Sequence, residues 1–373
     1  MDESDDILAM LRDAAGDFIQ RRYNPAQLRR GSLSPRAADR ELWREMAHMG
    51  WLGLGLLETR GGSGLGLGGA ATLAELFGRT LYAAPFVACA TMPTELIGAA
   101  GNAAGRDLAG MLQEGERLLT VAWQEAAGQM EPCRANTGLH DGAVSGRKLF
   151  VPAVQADSIL LVCADRGGEP VIVAVRADGP GVNLELAAAG VGSYATVVLD
   201  RAPILFGAPL LEGEEAAAAL ARTLAAGRIA LSAQLAGLAA GCLAKTIDYV
   251  NGRVQFGHPI GTFQTIQHRC VDLHMAVLLA GASWRNALAR YEAAPLCAAT
   301  EASISAAKSR CGDVAIRVAR EAVQMHGAMG FAEEVDIGFY LRSALQASSQ
   351  LGSPSQHRRR FVQYTSPAKD LHG

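Results

Sequence analysis

Arg253-Val254-Gln255-Phe256-Gly257-His258-Pro259-Ile260, continued by Phe263-Gln264 and answered further along by Gln324-Met325-His326-Gly327-Ala328-Met329-Gly330-Phe331, decides how this chain is read. A ligand that joins a pyrophosphate to an adenine wants a bidentate cation and an apolar face. Arg253 and Phe256, three apart beyond a helix expected to end near Tyr249, supply both. Gly257 and Pro259 suit a turn that stops the helix and lets backbone approach a ligand. Taken alone, the stretch is also an ordinary corner between two helices.

Working outward, the pattern changes twice. From Ile7 to about Arg117 the periodicity is helical, with apolar residues in Ile7-Leu8-Met10-Leu11, Phe18-Ile19 and Leu42-Trp43-Met46. Gly61-Gly62-Ser63-Gly64-Leu65-Gly66-Leu67-Gly68-Gly69 has neither the Lys-Ser/Thr ending of a P-loop nor the preceding strand of a dinucleotide fingerprint, and reads as a loop into a helix around Ala70 to Phe77. Between Leu118 and about Leu211 short β-branched runs take over: Leu118–Trp123, Ser158–Cys163, Pro170–Val175 and Ala195–Leu199. From Glu214 onward long Ala- and Leu-rich stretches predict four or five long helices in a bundle. The division expected is a helical domain over 1–117, a β domain over 118–212 and a helical bundle over 213–373.

At 373 residues, half of them hydrophobic, the chain is long enough for several layers around a large core. A net charge of −3 gives no footprint for nucleic acid. The one basic run, His357-Arg358-Arg359-Arg360, precedes apolar Phe361-Val362 and reads as a helix end or a ligand-facing edge. The start, Met1-Asp2-Glu3-Ser4-Asp5-Asp6, lacks a signal peptide's cationic region and apolar core. Apolar stretches are interrupted well before the roughly 18 residues a membrane span needs. Cys89, Cys133, Cys163, Cys242, Cys270, Cys297 and Cys311 are odd in number and never spaced C-x-x-C. A soluble cytoplasmic protein with reduced core thiols and no metal site is expected.

The two quoted segments resemble the flavin-binding signatures of acyl-CoA dehydrogenases, with Gln267-His268 following Phe263-Gln264 at that family's spacing. The resemblance implies the family's α+β fold: an N-terminal helical domain, a middle β-barrel or sandwich domain, and a C-terminal four-helix-bundle domain. It implies FAD as cofactor, an acyl-CoA thioester as substrate, and α,β-desaturation as the reaction. By the same resemblance Arg253 holds the FAD pyrophosphate, Phe256 the adenine region, and Gln255, Phe263 and Gln264 the surrounding wall. Gln324, Gly327 and Ala328 form a second adenosine-side segment, with Ala328 where the family has a second glycine. These residues serve the FAD of a neighbouring subunit, so a homodimer, homotetramer or heterotetramer with a homologous subunit is implied, with no nucleic-acid or membrane partner.

On the ring side the likeness thins. Where the family has Thr-Glu-Pro-Gly-Ala-Gly-Ser this chain has Gln124-Glu125-Ala126-Ala127-Gly128. A family Trp-Ile-Thr or Trp-Ile-Ser segment corresponds to Phe150-Val151-Pro152; Phe150 can pack on the ring, but Pro152 offers no donor.

The family's reaction needs a general base, usually a glutamate in Glu-Gly-Thr. Setting Leu341-Arg342 on the family's Tyr-Arg pair brings Gly352-Ser353 onto Gly-Thr, with Ser353 among the cofactor residues, and Leu351 onto the glutamate. The other base position known in the family, just before an arginine that corresponds to Arg228, holds Gly227. Glu333, Glu334 and Asp336 are expected as helix caps or dipole partners. The resemblance therefore extends to heteromeric acyl-CoA dehydrogenases of bacterial steroid side-chain breakdown, in which a homologous subunit carries the base. An active homomer with another carboxylate, a scaffold that has lost its chemistry and a flavin monooxygenase of the same fold remain the alternatives.

Overall fold

A computed structural model describes residues 3–22, 39–132, 134–189, 192–332 and 335–366, so Cys133, Glu333 and Glu334 lie outside the described residues. The chain runs helices, sheet, helices, as its changes of period require. The helices of the first part are α1 (Glu3–Arg22), α2 (Arg40–His48), α3 (Gly66–Thr80), α4 (Met92–Ala99) and α5 (Ala103–Glu114), with one π-helical turn at Val87–Thr91. Asp39 caps α2 by accepting from the amides of Glu41 and Leu42, and Asn102 caps α5 by accepting from Gly105. Trp43 and Met46 of α2, and Phe18 and Ile19 of α1, are buried as their spacing predicts, whereas Ile7 and Met10 are exposed.

The strands are β1 (Leu119–Ala122), β2 (Gly138–His140), β3 (Ala143–Pro152), β4 (Ile159–Arg166), β5 (Glu169–Arg176), β6 (Val182–Ala189), β7 (Gly192–Pro203) and β8 (Leu211–Glu212). They form one sheet in the order β6-β7-β3-β2-β4-β5-β8, with β1 parallel to β4. The four β-branched runs read from sequence are β1, β4, β5 and part of β7; β2, β3, β6 and β8 lack such a run and are held by pairing to neighbours. The apolar run of β4 is buried on both faces, and β7 alternates.

The last part contains α6 (Gly213–Gly252), the two-residue strands β9 (Val254–Gln255) and β10 (His258–Pro259), then α7 (Gln264–Ala293), α8 (Ala298–His326), α9 (Ile337–Ser349) and α10 (Pro354–Thr365). Three of these helices are long, at 40, 30 and 29 residues, and α9 and α10 are short. By length and composition α6 could cross a membrane, yet 78% of its most apolar window is buried within the protein.

Two compact units share the chain: Met1–Arg29, Ala71–Tyr82 and Arg228–Gly373 form one, and Arg30–Ala70 with Ala83–Gly227 the other. The core of the sheet unit is aliphatic, built on Val144, Leu160, Val162, Val171, Val173 and Val197. In the helical unit the second half of α3 is set directly against α6. A Cβ on Gly237 would stand 1.9 Å from the Glu75 carbonyl oxygen, one on Gly241 2.0 Å from that of Arg79, and one on Gly78 2.0 Å from that of Gln234. The same turn is gripped from other sides. Glu75 accepts from Trp284 Nε1 at 3.2 Å and Arg285 at 2.9 Å, and Tyr340 donates to the Arg79 carbonyl at 2.8 Å.

The basic run departs from expectation. His357 and Arg360 are buried inside α10, and it is Phe361 and Val362 that face outward. Arg360 reaches Glu301 on α8 in a buried ion pair and donates to Ser305, while Arg358 pairs with Asp313. Among the thiols, Cys89, Cys163, Cys242 and Cys311 are buried but Cys297 is exposed. Asp336 holds the N-cap position of α9, and its carboxylate pairs with Lys245 at 3.0 Å rather than capping the helix amides.

Backbone-on-backbone contact leaves no flexible atom to yield. Gly237→Ala is expected to lower unfolding stability by about 3 kcal/mol or more, whereas Gly252→Ala, with nothing within 4 Å among the described residues, is expected to be neutral. Chemical denaturation of the two variants checks the contrast.

Candidate functional site

Within the helical unit, α6 ends at Gly252 and the chain reverses through a β-hairpin rather than the bare corner of the sequence reading. Gln255 pairs with His258 and Val254 with Pro259, and Phe256-Gly257 form the turn with φ of 53° and 80°. Positive φ at both central residues defines the type I′ turn, which favours Asn-Gly. A bulky residue in the left-handed region costs about 1–3 kcal/mol and is retained where function asks for it. Phe256 is 89% exposed and meets Phe263 edge to face, ring centroids 6.3 Å apart. Arg253 is exposed, with no side-chain hydrogen bond or ion pair among the described residues. Gln255 Nε2 turns back to the Val254 carbonyl at 2.8 Å. Phe263 occupies the N-cap position of α7, and Gln264 is its exposed first residue.

Gln324, Gly327 and Ala328 are exposed at the end of α8. Gly327 terminates that helix at φ 60°, ψ −136°, a backbone setting open essentially to glycine alone. Among the described residues, its chain neighbours aside, nothing lies within 4 Å of where its Cβ would be.

The hairpin and the end of α8 are joined by a pair that sequence reasoning missed. Tyr249, one helical turn before Arg253, stacks on His326 with ring centroids 4.1 Å apart, and its hydroxyl donates to the His326 carbonyl at 3.3 Å. Burial lowers the His326 pKa against the opposing effect of its hydrogen bond to the Ala322 carbonyl. Its position inside the quoted Gln324–Gly327 stretch was the available signal.

Leu351 and Ser353 lie in the turn between α9 and α10. Leu351 has φ 51° and an aliphatic side chain with nothing to accept a proton. Ser353 is the N-cap of α10: its hydroxyl accepts from the Gln356 amide while Gln356 Oε1 accepts from the Ser353 amide, a complete capping box. Gly227, which the resemblance sets at the family's other base position, is buried within α6 beside buried Arg228.

In the sheet unit Phe150 is 51% exposed with φ 53°. It sits on a β-bulge, where the step from Lys148 to Val151 on β3 spans only Val197 to Ala195 on β7. The extra residue re-aims the side chain out of the sheet. The neighbouring Gln124–Gly128 segment is engaged internally: Gln129 Oε1 accepts from the amides of Glu125 at 2.8 Å and Ala126 at 3.3 Å. Those two amides are thus already taken. Glu125 is a structural carboxylate, accepting from Lys148 Nζ at 2.6 Å, the Asn136 amide at 2.7 Å and the Thr137 hydroxyl at 2.7 Å. Burial favours its protonation, but the bonds from Lys148, Asn136 and Thr137 outweigh that and hold its pKa at about 2.

With this geometry in place, comparison with known proteins is specific. The acyl-CoA dehydrogenase N-terminal domain matches residues 5–109 and the C-terminal domain residues 217–361. The chain is 28% identical over 356 residues to acyl-CoA dehydrogenase IpdE2 of Mycolicibacterium smegmatis, covering 94% of this chain and 96% of that one. It is similar to a variant of the Tcur3481-Tcur3483 steroid ACAD, with 30% identity and TM-score 0.86 over 97% of this chain and 98% of the other. It shares its fold with a chain of the ChsE4-ChsE5 complex from Mycobacterium tuberculosis, with 23% identity and TM-score 0.85 over 99% of each. The protein is thus an oxidoreductase of the class that acts on acyl-CoA. It belongs to the acyl-CoA dehydrogenase family.

The Glu125 carboxylate gives an acid-stability prediction. Its folded pKa lies below the ordinary 4.5, so its contribution is fully present above about pH 4.5 and is lost as pH falls towards 2. Glu125→Gln is expected to flatten that acid limb, measured as unfolding free energy against pH.

Proposed function

We propose that this chain is a subunit of an FAD-dependent acyl-CoA dehydrogenase that supplies the adenosine-side half of a flavin site and leaves the proton-abstracting base to a homologous subunit. The observation that carries the flavin half is the strained, outward Phe256 beside exposed Arg253. A strained aromatic in water with a neighbouring cation is the chemistry of a docking point for an anionic aromatic ligand, and a hairpin with no ligand has no need of either. Arg253 would take the pyrophosphate, and Phe256 with Phe263 the adenine region. Gln255, Gln264, Gln324, Gly327 and Ala328 would line the same end. FAD would accept the hydride that leaves the β-carbon of the thioester. Phe150 would pack at the ring; the amides of Glu125 and Ala126, held by Gln129, would not serve it.

The proton has no acceptor at either base position, since Leu351 and Gly227 carry no titratable group. That favours a heteromer, and similarity to the Tcur3481-Tcur3483 steroid ACAD supports it. It also supports a bulky acyl group on the thioester. The competing reading, a scaffold that no longer binds flavin, leaves Phe256 and Arg253 without a physical purpose. An intracellular, cytoplasmic setting accords with CoA thioesters as substrates.

Arg253→Ala is expected to weaken FAD binding about ten- to hundredfold, the loss of a charge-assisted hydrogen bond. Flavin content by visible absorbance checks it, and an undiminished yellow colour would remove the cofactor assignment. Purified alone and titrated anaerobically with acyl-CoA thioesters, the flavin-loaded chain is expected not to bleach. Bleaching by the chain alone would show a base within it and end the heteromer reading.

A further inference from the structure

The turn that carries Leu351 is held from beneath by two buried side chains of neighbouring helices. Lys308, in the middle of α8 and fully buried, donates from Nζ to the carbonyls of Ala347 at 3.2 Å, Ser348 at 3.0 Å and Gly352 at 3.2 Å. His357, fully buried on α10, has Nε2 3.0 Å from the Leu351 carbonyl oxygen, so that nitrogen carries the proton and donates. Its Nδ1 is buried with no hydrogen-bond partner among the described residues. The capping box of Ser353 and Gln356 closes the turn on its other side.

This is an expensive way to end a helix. The last carbonyls of α9 need partners, but a glycine in a left-handed cap or water meets that need without burying a charge. Burying an ammonium costs several kcal/mol unless every donor is used, and here all three are. Burial pushes the Lys308 pKa down to about 7, with buried Arg228 adding to the effect and Cys311 opposing it; burial, Lys308 and Arg228 push His357 down to about 2. The conformation so secured is itself strained, with Leu351 at φ 51° and Gly352 at φ 112°.

We propose that Lys308 and His357 are positioning residues that fix residue 351 in the left-handed, side-chain-presenting conformation of a base-bearing turn, so that this chain keeps the platform for the base while carrying leucine on it. The inference rests on the assignment of Leu351 to the base position made above. Lys308 sets the two ends of the turn, and His357 sets the peptide of residue 351 itself. Neither touches a reacting atom.

Hydrogen exchange of the full chain tests the holding role without requiring cofactor. Lys308→Met is expected to speed exchange of the amides at 350–353 about tenfold or more, the loss of a bond from a charged donor, with the rest of α8 and α10 unchanged. His357→Leu should do the same at 351–352. His357→Gln, which keeps an N–H donor for the Leu351 carbonyl, should restore slow exchange. Unaltered exchange in Lys308→Met and His357→Leu overturns the proposal. A rise spread evenly over α8, α9 and α10 also overturns it, because the two residues would then be packing elements only. The platform is read in the FAD-loaded Leu351→Glu chain, which is expected to gain anaerobic bleaching by acyl-CoA. Adding Lys308→Met should slow that bleaching about tenfold at unchanged flavin content. No bleaching by a flavin-loaded Leu351→Glu chain overturns the base-position assignment and the platform with it. Bleaching that is indifferent to Lys308→Met leaves the assignment standing and overturns the platform alone.

Discussion

The helical unit depends on the clasp around one turn of α3, from Glu75 to Arg79. Gly237 and Gly241 bring α6 against its carbonyl oxygens, Trp284 and Arg285 tie α7 to its carboxylate, and Tyr340 ties α9 to its last carbonyl. Close backbone approach fixes the relative height of two helices more tightly than interdigitating side chains, because no rotamer can absorb an error. The consequences run outward along each helix. The end of α6 delivers Tyr249 and the hairpin, and the end of α9 delivers the turn of Leu351. The hairpin and the turn of Leu351 are thus extensions of helices whose position is set at the same point.

Two buried polar contacts of that unit lie on α8 and the short helices packed on it. Arg360 and Glu301 neutralise one another, and Lys308 is neutralised only by carbonyl dipoles. A buried ion pair is weak evidence for stability, since two apolar side chains can do as well. What an ionic contact supplies is direction. Lys308 points at the end of α9 and Arg360 at the first turn of α8, so these two charges define where helix ends sit rather than how tightly the core packs.

Strain marks the same places from another side. Phe150, Phe256 and Leu351 all have φ near +50°, as do residues in other turns, among them Leu81 and Arg201. Nothing in a propensity or a periodicity foretells a left-handed phenylalanine or leucine; a local reading would place glycine or asparagine there. Surrounding structure has to enforce the conformation: a bulge for Phe150, a two-residue hairpin for Phe256, and the side chains of Lys308 and His357 for Leu351. The basic run His357–Arg360 shows the limit of charge as a guide, since two of its four residues are inside and the apolar pair after it is outside.

By itself the sequence determined the order of helices, strands and helices, because periods of 3.6 and 2 are properties of consecutive residues. Its contiguous motifs also pointed to the family to which the chain belongs. Only the tertiary structure decided that the segment after α6 is a hairpin, that β2, β3, β6 and β8 are strands, and that Glu125 and Gln129 close off their own peptide segment. The same holds for Tyr249 meeting His326 and Lys308 meeting the turn of Leu351. The physical reason for these last two is distance along the chain. Tyr249 lies 77 residues from His326 and Lys308 lies 39 to 44 from the carbonyls it serves, so those contacts arise only when packing brings separate helices together. The hairpin turn and the Glu125–Gln129 contact are local, but a left-handed phenylalanine and a side-chain bond to backbone leave no periodicity to read.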